Sequence, residues 1–188
     1  EGGKVSRLNK IIDLSVFSQD FFGKSYIKDK KLFSNQYRIH INTICDILKN
    51  VGININTVPV LDIRRKKSHN IIGSRSFSEN STIVSNLGKL CIDFHERNKV
   101  ATVMKHIPGH GLAKCDSHYK TPVIYANKKE LFKKDFKPFK INKSLFAMTA
   151  HAIYSKYDSY NTATHSKIII NEVIRNHMNF KGILISDD

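Results

Sequence analysis

Four short apolar runs, at residues 53–60, 100–104, 145–149 and 182–185, alternate along the chain with segments of helical period. Short apolar runs of that length read as buried strands. Before the first run, Tyr37, Ile41, Ile44, Cys45 and Leu48 share one helix face, and Gly52 follows as a C-terminal stop. Ile83, Leu87, Leu90, Cys91 and Phe94 share a second face, Phe132, Phe136 and Phe139 a third, and Ile170, Val173, Ile174 and Met178 a fourth. Asn127 is placed to cap the third helix. Helix followed by strand, repeated, predicts βαβ units and a parallel sheet, hence an α/β fold. Each apolar run also ends in polar residues: Asp62, then Lys105 and His106, then His151, then Asp187. Parallel α/β folds build their sites at the carboxyl ends of the strands. A closed barrel and an open doubly wound sheet both obey that rule, so this pattern leaves the choice between them open.

The 188 residues suffice for one domain with a sizeable core. The formal net charge is +15, which raises the prospect of a nucleic-acid partner. The bases are scattered, however. The one tight run, Arg64, Arg65, Lys66 and Lys67, has no interleaved aromatic residues for bases to stack on, so no nucleic-acid partner is expected. Cys45, Cys91 and Cys115 are odd in number and far apart, which gives no disulfide framework or zinc spacing and fits a reducing compartment. No apolar run reaches the length of a membrane span, and no membrane partner is expected. The chain starts at Glu1 without a Met and stops directly after an apolar run. It reads as an internal piece, residues 1–188 being one catalytic domain with both ends missing, and this leaves the question of a signal peptide open.

The loop after Met104 concentrates reactive groups: His106, His110, Asp116 and His118, with Pro108, Gly109 and Gly111 bending the backbone. It is open to three readings. The ordinary one is a polar loop of hydrogen-bonded histidines. A metal-dependent hydrolase would use His106, His110, Asp116 and His118 as ligands, but no second cluster closes a coordination set. The third is acid–base catalysis. Asp116 and His118 lie two apart, on the same side of an extended segment, where a carboxylate orients the imidazole and raises its pKa above the usual value of about 6.5. That makes His118 a proton donor near neutral pH. Asp187, at the tip of a buried strand, is either a solvated loop aspartate or a nucleophile for an anomeric carbon, with Asp188 its rival. Arg75, beside Gly73 and before Phe77, is suited to fork onto sugar hydroxyls or an amide, or to an exposed ion pair.

Taken in order, these pieces resemble glycoside hydrolase family three, and within it the bacterial β-N-acetylglucosaminidases of peptidoglycan recycling. Residues 1–7, E-G-G-K-V-S-R, resemble the end of D-Q-E-G-G-R-V-x-R, and P-V-L-D at 59–62 resembles P-V-x-D. I-G-S-R-S-F at 72–77 matches I-G-x-R-S-F, and residues 105–118, K-H-I-P-G-H-G-L-A-K-C-D-S-H, resemble K-H-F-P-G-H-G-x-x-x-x-D-S-H. T-A-H at 149–151 and the strand G-x-x-x-S-D-D at 182–188 complete the set. Lys4 stands where Arg is usual and Leu112 where Asp is frequent.

The resemblance implies a (β/α)8 barrel, present here as an incomplete internal portion. It implies a retaining exo-glycosidase that removes terminal β-linked N-acetylglucosamine, from muropeptides in the cytoplasm. Asp187 would be the nucleophile and His118 the acid/base with Asp116 as its partner. Arg7, Arg75, Lys105 and His106 would bind the sugar. No cofactor or metal is implied, and a monomer is expected. Phosphorolysis of the same linkage, a β-glucosidase of the same family and a non-catalytic sugar-binding module are the rival functions.

Overall fold

The computed structural model describes residues 3, 6, 8–65, 70–117 and 119–187. Two helices open it, α1 (Gln19–Lys28) and α2 (Lys30–Asn50). Ser18 caps the first through the Phe21 N–H, and Asp29 both ends α1 and caps α2 by accepting from Lys31 and Leu32. Phe33, Tyr37, Ile41, Ile44, Cys45 and Leu48 of α2 are buried as one stripe. The helix stops as expected: Gly52 takes φ 78°, and the Gly52 and Ile53 N–H groups bond back to Lys49 and Leu48.

Strand β1 (Ile55–Asn56) leads through a turn at Gly73–Arg75 to α3 (Ser81–Arg97), and β2 (Ala101–Ile107) follows. After β3 (Val123–Ile124) come the short helices α4 (Lys128–Lys133) and α5 (Lys137–Ile141), then β4 (Phe146–Thr149), β5 (Ile153–Tyr154), a π-helix at Ile169–His177 and β6 (Ile183–Ile185). The main sheet is parallel, in the order β1-β2-β4-β6, with α-helices and the π-helix as crossovers. It forms one arc of a TIM-type barrel. β1 and β6 are its edges, and they expose Ile55 and Ile183.

Four expectations need correction. The first strand is shorter than residues 53–60: the ladder is regular at Ile55–Asn56, and Val60 joins β2 again through an isolated bridge to Lys105. The other edge of Val60 is covered by Gln19, whose side-chain amide donates to the Val60 carbonyl and accepts from its N–H, standing in for a neighbouring strand. β2 runs on through Lys105 and His106 to Ile107 rather than ending at Met104. The phenylalanine helix is two helices, broken where Asp135 turns inward to pair with Arg65. The last helix is wound as a π-helix, closed by a Met178 N–H bond to Val173. Five-residue bonding rotates the buried face, so Ile169 joins Val173, Ile174 and Met178 in the core and Ile170 is half-exposed.

The core on the β1 side is aromatic. Phe22, Phe33 and Tyr37 pack together, and the His40 ring lies 4.8 Å from that of Phe22. Nearby, His95 of α3 is fully buried, with one ring nitrogen 2.8 Å from the Cys91 carbonyl and the other 3.0 Å from the Asn56 amide. Gly23 of α1 lies directly under the Phe77 carbonyl, where a Cβ would collide with backbone. That close approach seats the 73–75 turn on α1.

Burial, and beside it the neighbouring His95, pushes His40 down to about 4, and burial pushes His95 down to about 4. Both are therefore neutral in the fold, while an unfolded histidine titrates near 6.5. As the pH falls below about 6.5 the unfolded chain gains protons that the fold refuses, and stability is lost down to about pH 4. Each ring accounts for up to about 3 kcal/mol of that loss. Urea midpoints of the full-length protein should fall between pH 6.5 and 4.5, and less steeply in His40→Phe. Equal slopes in the two proteins would contradict the assignment.

Candidate active site

At the carboxyl end of the sheet, Asp62 is fully buried and accepts three different N–H groups. Its carboxylate lies 2.6 Å from His106 Nδ1, 3.2 Å from the His106 backbone nitrogen and 2.6 Å from that of His110. Burial pushes the Asp62 carboxyl up, but His106, through its charge and its hydrogen bond, and then His110 outweigh this and hold it below the usual carboxylate range. A carboxylate only accepts, so His106 carries a proton on Nδ1. Nε2, the opposite ring atom, lies 3.7 Å from Asp187 Oδ2.

Strand irregularity aims that ring. In the β2–β4 ladder Lys105 pairs with Met148 and Ile107 with Thr149, so His106 is an extra residue bulged out of the pairing. Bulges beside a site redirect a side chain that regular alternation would send elsewhere. The peptides Lys105–His106 and Ile107–Pro108 are cis. Lys105 is also buried, its backbone bonded to Pro59 and Leu61 across the β1 side.

The loop that follows is anchored at its root. Gly109, at φ 138°, packs against the Asp135 backbone, and its carbonyl accepts from the Tyr154 hydroxyl at 2.7 Å. Gly111 lies against the Ile63 carbonyl too closely for any Cβ. His110 is buried, and its Nδ1 has no hydrogen-bond partner among the described residues. Burial first, then His106, pushes His110 down to about 4, with Arg75 adding to the shift and Asp62 and Asp116 opposing it. Arg75 and Asp116 thus both act on this ring. Ser76, fully buried, donates to the Asp62 carbonyl and accepts from the Arg64 N–H, which ties the Arg75 turn to the same strand end.

Of the residues singled out from sequence, the structure gathers Lys105, His106 and Asp187 at the carboxyl ends of β2 and β6, the two strands that flank β4, with Arg75 and Asp116 within electrostatic reach of His110. Arg7, His118 and Asp188 lie outside the described residues. The sequence assigns no site role to Asp62, a strand-end carboxylate within P-V-L-D, and leaves His110 a loop or ligand histidine within the 105–118 motif. The signal for Asp62 was its position, since an acid directly after a buried strand requires partners. Among the described residues no three His, Cys, Asp or Glu side chains are grouped to hold a metal ion, and no helix is long and apolar enough to cross a membrane.

Residues 40–188 match the model of the glycosyl hydrolase family 3 N terminal domain. The chain belongs to that family. A β-hexosaminidase of Actinobacillus pleuropneumoniae is 38% identical over 142 residues, covering 73% of this chain and 40% of its own length. Among solved structures, NagZ of Neisseria gonorrhoeae in complex with N-trifluoroacetyl-D-glucosamine superposes with a TM-score of 0.84 at 28% identity, over 90% of this chain and 51% of that one. The β-N-acetylglucosaminidase of Thermotoga maritima superposes at 0.81 with 29% identity, over all of this chain and 38% of that one. This family 3 chain spans 33–40% of the length of the curated relatives that it matches.

Asp62 gives a direct test. Its folded pKa lies below the unfolded value, so its contribution to stability is present above about pH 4 and lost as the pH falls through the folded pKa. Asp62→Asn should destabilise the full-length protein by about 3 kcal/mol at neutral pH. The gap between the two proteins should close as the pH drops below about 4. Denaturant midpoints across pH would show this, and a gap independent of pH would contradict it.

Proposed function

We propose that the chain carries the catalytic centre of a retaining β-N-acetylhexosaminidase, which removes terminal β-linked N-acetylglucosamine. The observation that supports this most strongly is the Asp62–His106–Asp187 line, which sets an oriented imidazole beside a carboxylate at the C-terminal end of a parallel sheet. The relatives are consistent with this substrate class: a β-hexosaminidase, a β-N-acetylglucosaminidase, and a NagZ solved with N-trifluoroacetyl-D-glucosamine.

In this mechanism His106 Nε2, Lys105, Arg75 and Arg7 hold the sugar with its anomeric carbon over Asp187. The Asp187 carboxylate attacks C1 and forms a glycosyl-enzyme, while His118, oriented by Asp116, protonates the departing oxygen. His118 then takes a proton from the water that releases the sugar. The half of the loop carrying this dyad is less buried than its anchored root: Lys114 is exposed, and Cys115, Asp116 and Ser117 are half-buried. That suits a segment that closes over bound substrate. Muropeptides in the cytoplasm are the substrates we assign, acted on by a monomer, with residues 1–188 forming the middle of the catalytic domain.

In the full-length protein, Asp187→Ala should reduce turnover of an aryl β-N-acetylglucosaminide by about 10⁴-fold or more. His118→Ala should cost about 10²–10⁴-fold on a disaccharide and far less on an aryl glycoside whose leaving group needs no proton. Full activity of His118→Ala on the disaccharide would refute the acid assignment. Product analysis with added phosphate separates hydrolysis from phosphorolysis.

A further inference from the structure

β4 and β6 pair in parallel as far as Met148 and Ile185, so Asp187 stands beyond the last rung of the ladder. Its backbone there is held by a side chain. His151 Nε2 lies 3.0 Å from the Asp187 carbonyl oxygen. A carbonyl only accepts, so Nε2 carries a proton. The opposite ring atom, Nδ1, lies 2.9 Å from the Thr164 hydroxyl, and that hydroxyl lies 2.9 Å from Thr149 Oγ1. Thr149 Oγ1 in turn lies 3.3 Å from the Ile185 carbonyl.

The protons assign themselves along this chain. In a neutral ring with Nε2–H, Nδ1 is an acceptor, and Thr164 donates its one proton there at 2.9 Å in preference to the Ala150 carbonyl at 3.4 Å. Thr164 Oγ1 then accepts from Thr149, whose one proton goes to it at 2.9 Å in preference to the Ile185 carbonyl at 3.3 Å. Three donors thus meet three acceptors, in the order Thr149, Thr164, His151, Asp187 carbonyl. Thr149 is buried, and Thr164 and His151 are half-buried. The chain starts on β4 and ends on the residue whose carboxylate faces His106 Nε2. Fixing the carbonyl of Asp187 fixes the ψ rotation on which its side chain is carried.

We infer that His151 is a positioning residue for Asp187, and that the Thr149–Thr164 hydroxyl pair holds it in the Nε2–H tautomer that clamps the nucleophile's backbone. The inference rests on the proposed glycosidase reading, and it assigns no contact between His151 and the sugar.

The test uses the full-length protein, with an aryl β-N-acetylglucosaminide as substrate and N-acetylglucosamine as competitive inhibitor. His151→Leu should lower kcat by about 10²-fold, the cost of a nucleophile displaced by about 1 Å, and leave the inhibitor constant within about twofold. His151→Gln, whose side-chain amide restores a donor, should recover part of kcat. Thr164→Val keeps the shape of the threonine, and it should lower kcat while ¹⁵N spectra show the His151 ring shifting from pure Nε2–H toward the Nδ1–H tautomer. An active wild type whose kcat is unchanged in His151→Leu overturns the inference and leaves the glycosidase reading standing. So does a parallel loss of kcat and inhibitor binding that Gln does not rescue. An inactive full-length wild type overturns the glycosidase reading, and this inference with it.

Discussion

A carboxylate with no access to water organises the carboxyl end of this sheet. Asp62 follows the strand segment that Gln19 covers on one edge and β2 on the other, and it accepts from the ring and backbone of His106 and from the backbone of His110. Burying an unpaired charge would cost several kcal/mol. The bulge at His106 and the tight turn through Pro108 and Gly109 deliver the compensating donors. Remove the charge, and the His106 ring loses its reason to keep Nδ1 inward and Nε2 outward. The orientation of a group that faces Asp187 therefore depends on a residue that touches no solvent.

The site is held more firmly at its root than at its tip. Tyr154, Asp135 and Ile63 press on the glycines of the loop, and Ser76 fixes the adjoining turn. Beyond Ala113 the chain rises to the surface, and Tyr119 is 91% exposed. Lys105, His106 and Asp187 thus sit at strand ends, while Asp116 sits on the more exposed segment. A retaining mechanism asks for that division, since one face must hold the ring still and the other must admit first a leaving group and then water.

The alternation of periods made the parallel sheet legible, because buried strands and amphipathic helices differ in repeat wherever the runs are long. The stripe of α2 and its Gly52 stop are examples. Legibility failed where local rules are bent. Ile169 could not be placed in the core, because the π-helix shifts the face by a residue per turn. The break between α4 and α5 follows from Asp135 reaching Arg65, a contact across the fold. β3 and β5 are two residues each, too short for a period to register. At the site, the order of motifs led to Lys105, His106 and Asp187, but the bonds that orient them are long-range. His151 meets Asp187 across 36 residues, and Asp62 meets His106 across 44.

The central claim is that Asp187 attacks the anomeric carbon. Incubating the full-length protein with a fluorinated N-acetylglucosamine donor that slows release of the enzyme-bound sugar, followed by proteolysis and mass spectrometry, tests it directly. The account predicts one added glycosyl group, on the peptide that contains residues 183–188, with fragmentation placing it on Asp187. A sugar on Asp188 or on another residue, or turnover of an unmodified substrate with inversion at C1 and no covalent species, would contradict it.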